Sequence, residues 1–157
     1  MNFLGKAPFN PLIFYSGKIA GYLIWGVYFL FLLGTPHLYR NSLGWNDYVA
    51  HFCFLLGFIL IIQSLLNLGK STRFGLPIEE TTFKTNGLYQ ISRNPMYLGI
   101  NLWTFGAMVF ILKFCVILLG VYSIIVYHYI ILAEEKFLEA RFGDKYLEYK
   151  KVVRRYL

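Results

Sequence analysis

Four stretches of this chain contain no Asp, Glu, Lys or Arg: Ile19–Tyr39, Tyr48–Gly69, Asn94–Leu112 and Phe114–Ala133. A helix of about 20 such residues crosses a hydrocarbon core roughly 30 Å thick. In lipid, only helices and closed barrels satisfy every backbone N–H and C=O internally. The composition agrees, with 57% of the 157 residues hydrophobic and 15% charged. A soluble domain would be about a quarter charged and under half apolar. The expected fold is therefore an all-α integral membrane protein, with four transmembrane helices in two hairpins and a cytoplasmic amphipathic C-terminal helix. The spans are expected at about 19–39, 48–69, 95–112 and 114–133, followed by a tail over 134–157, all in one domain, 1–157. A signal peptide is the alternative for the first stretch, but no small-residue cleavage site follows it.

The basic residues set the orientation. Lys6 and Lys18 precede the first span, and Lys70, Arg73, Lys84 and Arg93 lie between the second and third. Lys136, Arg141, Lys145, Lys150, Lys151, Arg154 and Arg155 follow the fourth, leaving only Arg40 and Lys113 of 15 on the other side. Excess Lys and Arg mark the cytoplasmic face, so both termini are expected inside. The turn at Lys113 must be very short, and a third and fourth span that stop before the far interface are also compatible with the pattern.

Between the spans, Pro8 and Pro11 predict an irregular, interfacial lead-in over 1–18. Thr35–Asp47 reads as an outer loop, and Gly69–Arg93 as a longer polar one broken by Gly75, Pro77 and Asn86-Gly87. In the tail, Leu138, Phe142, Tyr146, Tyr149 and Val153 recur at helical spacing. Gly143-Asp144 interrupts them as a helix stop followed by an N-cap. Such a helix either lies on the membrane or closes over a site.

Polar residues concentrate in Lys84–Gly99 and Glu134–Arg155, which flank the third and fourth spans on one side and so can meet. Asn94-Pro95 is a strong helix start, Asn as cap and Pro at the first position. The unpaired N–H groups there, beside Arg93, suit an anion such as a carboxylate. Glu134-Glu135 could receive an amine or ribose hydroxyls, or simply pair with nearby cations. Cys53 and Cys115 read as small buried hydrophobes. His37, His51 and His128 are too scattered for a metal cluster.

Taken in order, Asn86-Gly87-Leu88-Tyr89, Arg93-Asn94-Pro95-Met96-Tyr97-Leu98-Gly99, Glu134-Glu135-Lys136-Phe137-Leu138 and Phe142-Gly143-Asp144-Lys145-Tyr146 are distinctive. Over residues 70–155 the chain resembles the isoprenylcysteine carboxyl methyltransferase family, within the superfamily that includes phospholipid N-methyltransferases. The first two spans resemble that family only in being apolar. The resemblance implies S-adenosyl-L-methionine bound at the cytoplasmic ends of the last two spans. Gly87, Tyr89, Arg93, Asn94, Pro95, Tyr97 and Leu98 would line that site, with Glu134 opposite. Arg154, Arg155 and Glu135 would serve the catalytic end. Where the family commonly has Arg-His-Pro, this chain has Arg93-Asn94-Pro95, and Asn cannot carry a proton. Where the family often has Arg-Val-Pro, it reads Val152-Val153-Arg154, so Arg154 or Arg155 would have to orient the acceptor.

The resemblance predicts methyl transfer to a lipid-like or lipidated acceptor entering from the bilayer, with membrane lipids as the surroundings and no nucleic-acid partner. A carboxylate is already ionised at neutral pH, whereas an amine or thiol must first lose a proton. No base stands near Arg93 in the sequence, which favours carboxyl O-methylation of an isoprenylcysteine-like acceptor over phospholipid N-methylation or thiol methylation. A small transporter would want charges inside its spans, and these hold none at mid-depth. No Gly-x-Gly-x-x-Gly run supports a soluble dinucleotide-type fold. A purely structural membrane protein would have no need of the ordered motifs.

Overall fold

Pro11 starts a helix here rather than preventing one. In the computed structural model, which describes residues 9–33, 44–69, 83 and 85–157, α1 spans Pro11–Leu32. The Asn10 side chain accepts from the Leu12 N–H at 2.9 Å, and Pro11, having no N–H to satisfy, fits the first helical position. The irregular lead-in expected over 1–18 is thereby corrected for 11–18. Lys18 then falls inside the helix, where its ammonium lies 4.2 Å above the Phe14 ring. The later part of the expected first span, 34–39, lies outside the described residues, as do most of the two long loops.

The remaining elements are α2 (Trp45–Leu68), a 3-10 turn over Gly87–Gln90, α3 (Pro95–Ile111), α4 (Phe114–Phe142) and α5 (Asp144–Val152). Helices α1, α2 and α4 are each long and apolar enough to cross a membrane. Leu23, Phe52, Leu66 and Leu118 on them stand more than half exposed, as lipid-facing side chains do. Helix α3 has 17 residues, or about 26 Å of rise, short of a full span. It turns into α4 through two residues, Leu112 in the left-handed region at φ 48 and Lys113 as the extended N-cap of α4. Helix α4 runs 29 residues, well past its apolar stretch. At Gly143, φ 52, the chain stops α4 and starts α5 at once. Asp144 is the first residue of α5 rather than its cap.

The principal interfaces cross the two sequence hairpins: α2 packs on α3, and α1 on α4. Small residues cause this. A Cβ on Gly99 would lie 2.6 Å from the Gly57 carbonyl oxygen, and one on Gly57 would lie 2.7 Å from that of Gly99. The two backbones therefore touch, which is how helices associate where lipid removes the hydrophobic drive. Gly17 and Gly21 bring α1 equally close to Val126 and Ser123 of α4. Between the pairs, Tyr28 stacks on Phe54 at 3.7 Å, and Trp25 Nε1 donates to Thr104 Oγ1 at 3.2 Å. Helices α3 and α4 touch each other less, and their separation leaves a groove.

Gly99→Ala should cost about 1–3 kcal/mol by overpacking and lower the thermal unfolding midpoint in detergent. Gly26, whose Cβ position meets nothing within 4 Å, should accept Ala without loss. Equal midpoints for the two variants would contradict the backbone contact.

Candidate functional site

Adjacent residues on a helix point about 100° apart, so Glu134 and Glu135 do different work. Glu134 Oε1 accepts from the Tyr97 hydroxyl at 2.6 Å, tying α4 to the first turn of α3. Glu135 is 5% exposed and gathers three cationic or amide groups. Its Oε1 accepts from Asn94 Nδ2 at 3.1 Å and lies 3.2 Å from Arg93 Nη2. Its Oε2 accepts from Arg155 Nε at 3.1 Å and Nη2 at 2.9 Å. A two-toothed guanidinium–carboxylate contact of this kind fixes orientation as well as charge.

The backbone completes the join. Arg93 N–H donates to the Arg154 carbonyl at 2.9 Å, and Ser92 pairs with Arg154 as a parallel bridge. Ser92 Oγ donates to the Arg155 carbonyl at 3.3 Å and accepts from Asn94 N–H at 3.2 Å. Asn94 Nδ2 reaches the same Arg155 carbonyl at 3.2 Å. Further back, Tyr149 donates to the Tyr89 carbonyl at 2.5 Å, while Phe83 packs against Phe142, Tyr146 and Tyr149. The chain after α5 is thus stapled along the start of α3. Burial pushes the Tyr149 phenol up to about 12, with Arg93 opposing, and raises Tyr89 as well. Both remain neutral near pH 7, as the donating Tyr149 hydroxyl requires. The hydrogen bond to Glu135 raises Arg155 further.

Of the residues singled out in the sequence, Arg93, Asn94, Glu135 and Arg155 meet in one cluster, with Tyr97 and Glu134 as a pair beside it. Pro95 is buried at the first position of α3. Gly87 has φ 63 and no room for a Cβ against Asn67. Tyr89 is buried, and Leu98 turns towards the groove. Arg154 is exposed and joins the cluster through its backbone. Asn94 does occupy the N-cap of α3, but its side chain makes no cap hydrogen bond. It is spent on Glu135 and the tail instead.

Arg93 offers the donors a cofactor carboxylate needs. Its Nε and Nη1 are buried with no hydrogen-bond partner, and the side chain is 8% exposed. Leaving such donors unfilled costs roughly 1–3 kcal/mol each; they sit on different edges of the guanidinium, so one carboxylate fills one of them. Glu134, half-buried beside Tyr97, can face an ammonium or a ribose. The residues present therefore fit S-adenosyl-L-methionine.

The groove between α3 and α4 encloses about 510 Å³ and is lined by Leu98, Asn101, Ile124, Ile125, His128, Tyr129 and Tyr156. His128 Nδ1 and the Tyr156 hydroxyl are 2.7 Å apart. The sequence reading gives no site role to Ser92, Asn101, His128 or Tyr156. A heptad count finds two of them: Asn101 follows Asn94 by seven residues and His128 precedes Glu135 by seven. Each therefore lies two turns, about 10 Å, from the cluster on the same face of its helix.

Glu135→Ala should strand two guanidinium groups and cost about 3–5 kcal/mol. Trypsin should then cut the tail at Lys150, Lys151 and Arg154 much faster than in the parent. Glu139→Ala, which breaks only a half-exposed pair with Lys150, should not change the rate. Equal cleavage of both variants would contradict the staple.

A profile of the phospholipid methyltransferase family matches residues 45–145. The match reaches back over α2, further than the sequence motifs alone. Among solved structures, the chain is similar to the eukaryotic intramembrane Ras methyltransferase ICMT (isoprenylcysteine carboxyl methyltransferase), with a TM-score of 0.68 and 24% identity. That alignment covers 87% of this chain and 50% of the other, so this chain spans about half its length. The likeness shows a shared fold. No curated protein gives a significant match. With its apolar helices, its polar cluster and the family match from α2 to the end of α4, this chain belongs to the phospholipid methyltransferase family of multi-pass integral membrane methyltransferases.

Proposed function

We propose that the chain, as one domain, uses S-adenosyl-L-methionine to methylate a membrane-borne acceptor at the cytoplasmic face. The observation that carries this reading is Arg93, with two buried, unpartnered donors at the start of α3. The bound cofactor would supply an electrophilic methyl group on a sulfonium. Arg93 would hold its carboxylate, Glu134 its ammonium or ribose, and the faces of Tyr89 and Tyr97 would sit near the positive sulfur. Glu135, Asn94 and Arg155 position these groups by locking the tail over them. Methyl transfer is an in-line displacement, so fixing the two reactants and excluding water supplies most of the acceleration.

The relatives' names offer two acceptor classes, a phospholipid headgroup and an isoprenylcysteine carboxylate. Both keep an apolar chain in the bilayer, and the lipid-facing opening of the α3–α4 groove suits either chain. Exposed Arg154 is the arginine available to orient a carboxylate, since Arg155 is engaged by Glu135.

With methyl-labelled cofactor and acceptors of increasing chain length, turnover at low acceptor should rise steeply. Each buried methylene is worth about 0.8 kcal/mol, roughly fourfold. The gain should appear in KM, because ground and transition states share it. A short water-soluble acceptor used as efficiently as its long-chain analogue would contradict access from the bilayer.

A further inference from the structure

Helix α1 lies ahead of the family-matched segment, which begins at residue 45, yet one of its side chains reaches towards the cofactor end. Phe14, Gly17, Lys18 and Gly21 recur at i, i+3, i+4 and i+7, so they share one helical face. That face packs on α4. A Cβ on Gly21 would lie 2.8 Å from Ser123 Oγ, and one on Gly17 has no room against Val126. Phe14 is buried with Val126, Tyr127 and Ile130. The contacts advance along α4 as they retreat along α1, so the two helices run antiparallel. The next turn of α4, at Glu134, therefore falls beside the start of α1.

Lys18 is the only charged residue of α1. Helical side chains lean towards the N-terminus of their helix, and the Lys18 ammonium accordingly lies above the Phe14 ring, one turn nearer Glu134. Tyr97 packs against the same Phe14 cluster and donates to Glu134 Oε1. Lys18 and Glu134 act on each other through space, with no hydrogen bond between them. A lysine that merely extends to the headgroups needs only a lipid-facing position. This one is half-buried, on the face committed to α4.

Resting on the methyltransferase reading above, we propose that Lys18 is a further cofactor-binding residue, and that with Glu134 it holds the ribose diol. Tyr97 occupies Glu134 Oε1, which leaves Oε2 as an acceptor for a ligand. Lys18 supplies donors and no acceptor. Each hydroxyl of a vicinal diol both donates and accepts, so a carboxylate and an ammonium facing one another match one diol. The cofactor's own ammonium does not suit this place, since what it gains from Glu134 it loses to repulsion by Lys18. Of the two partners open to Glu134, an ammonium or a ribose, Lys18 selects the ribose. The amino-acid end then belongs to Arg93, and α1 becomes part of the site.

The test is calorimetry on the full chain in detergent with two ligands. One is S-adenosyl-L-methionine, and the other its 2′,3′-dideoxy analogue, which keeps the amino-acid end and lacks the diol. Lys18→Met should weaken the cofactor about tenfold, as loss of one charge-assisted hydrogen bond does, and leave the analogue at its parent affinity. Lys18→Arg, which keeps the donors, should bind the cofactor near the parent value. Arg93→Ala should weaken both ligands alike, because both carry the carboxylate. Equal losses on both ligands for Lys18→Met would make Lys18 merely structural and overturn the proposal, as would no loss on either. An analogue that binds the parent as tightly as the cofactor does would overturn it while leaving the methyltransferase reading intact. A parent that binds neither ligand would remove both.

Discussion

The arrangement of this site depends on one buried carboxylate. Glu135 sits between Arg93 from the start of α3 and Arg155 from the end of the chain, with Asn94 sharing one oxygen. Breaking a buried pair from one side strands charge in a poor solvent, so each partner holds the others in place. Because Arg155 is anchored, its backbone lies against Ser92 and Asn94, and Tyr156 reaches His128. The tail is therefore part of the helical bundle's end and not a loose amphipathic appendage.

That clamp works only because the helices beneath it are unequally spaced. Gly57 and Gly99 draw α2 and α3 into backbone contact, and Gly17 and Gly21 do the same for α1 and α4. With α3 and α4 committed to other partners, the space between them stays open beside Leu98, Asn101 and His128, while Met108 closes on Gly120 nearer the turn. Tyr156, which follows the clamped Arg155, forms part of its wall. One arrangement of small residues thus yields both a rigid scaffold and a groove.

Much of this was legible in the sequence. Charge-free stretches announced the helices, and Asn94-Pro95 and Gly143 marked a start and a stop that the structure reproduces. The meeting of Arg93, Asn94, Glu134 and Glu135 at one end followed from their flanking the same two helices. What escaped did so for physical reasons. Pro11 was read as a breaker, although the first helical turn has no N–H bond for it to remove. Asn94 was assigned to its own backbone because capping is local, whereas its actual partners are 41 and 61 residues away. His128 was dismissed as isolated because linear distance hides two helical turns, which place it in line with Glu135.

The account rests on Arg93 and its unfilled donors as the seat of the cofactor carboxylate. Calorimetry of S-adenosyl-L-methionine binding to the detergent-purified chain tests this directly. A charge-assisted contact is worth about 1.5–3 kcal/mol, so Arg93→Ala should weaken binding by roughly tenfold to a hundredfold, and Glu134→Gln by less. Binding by both variants with the affinity of the parent would contradict it.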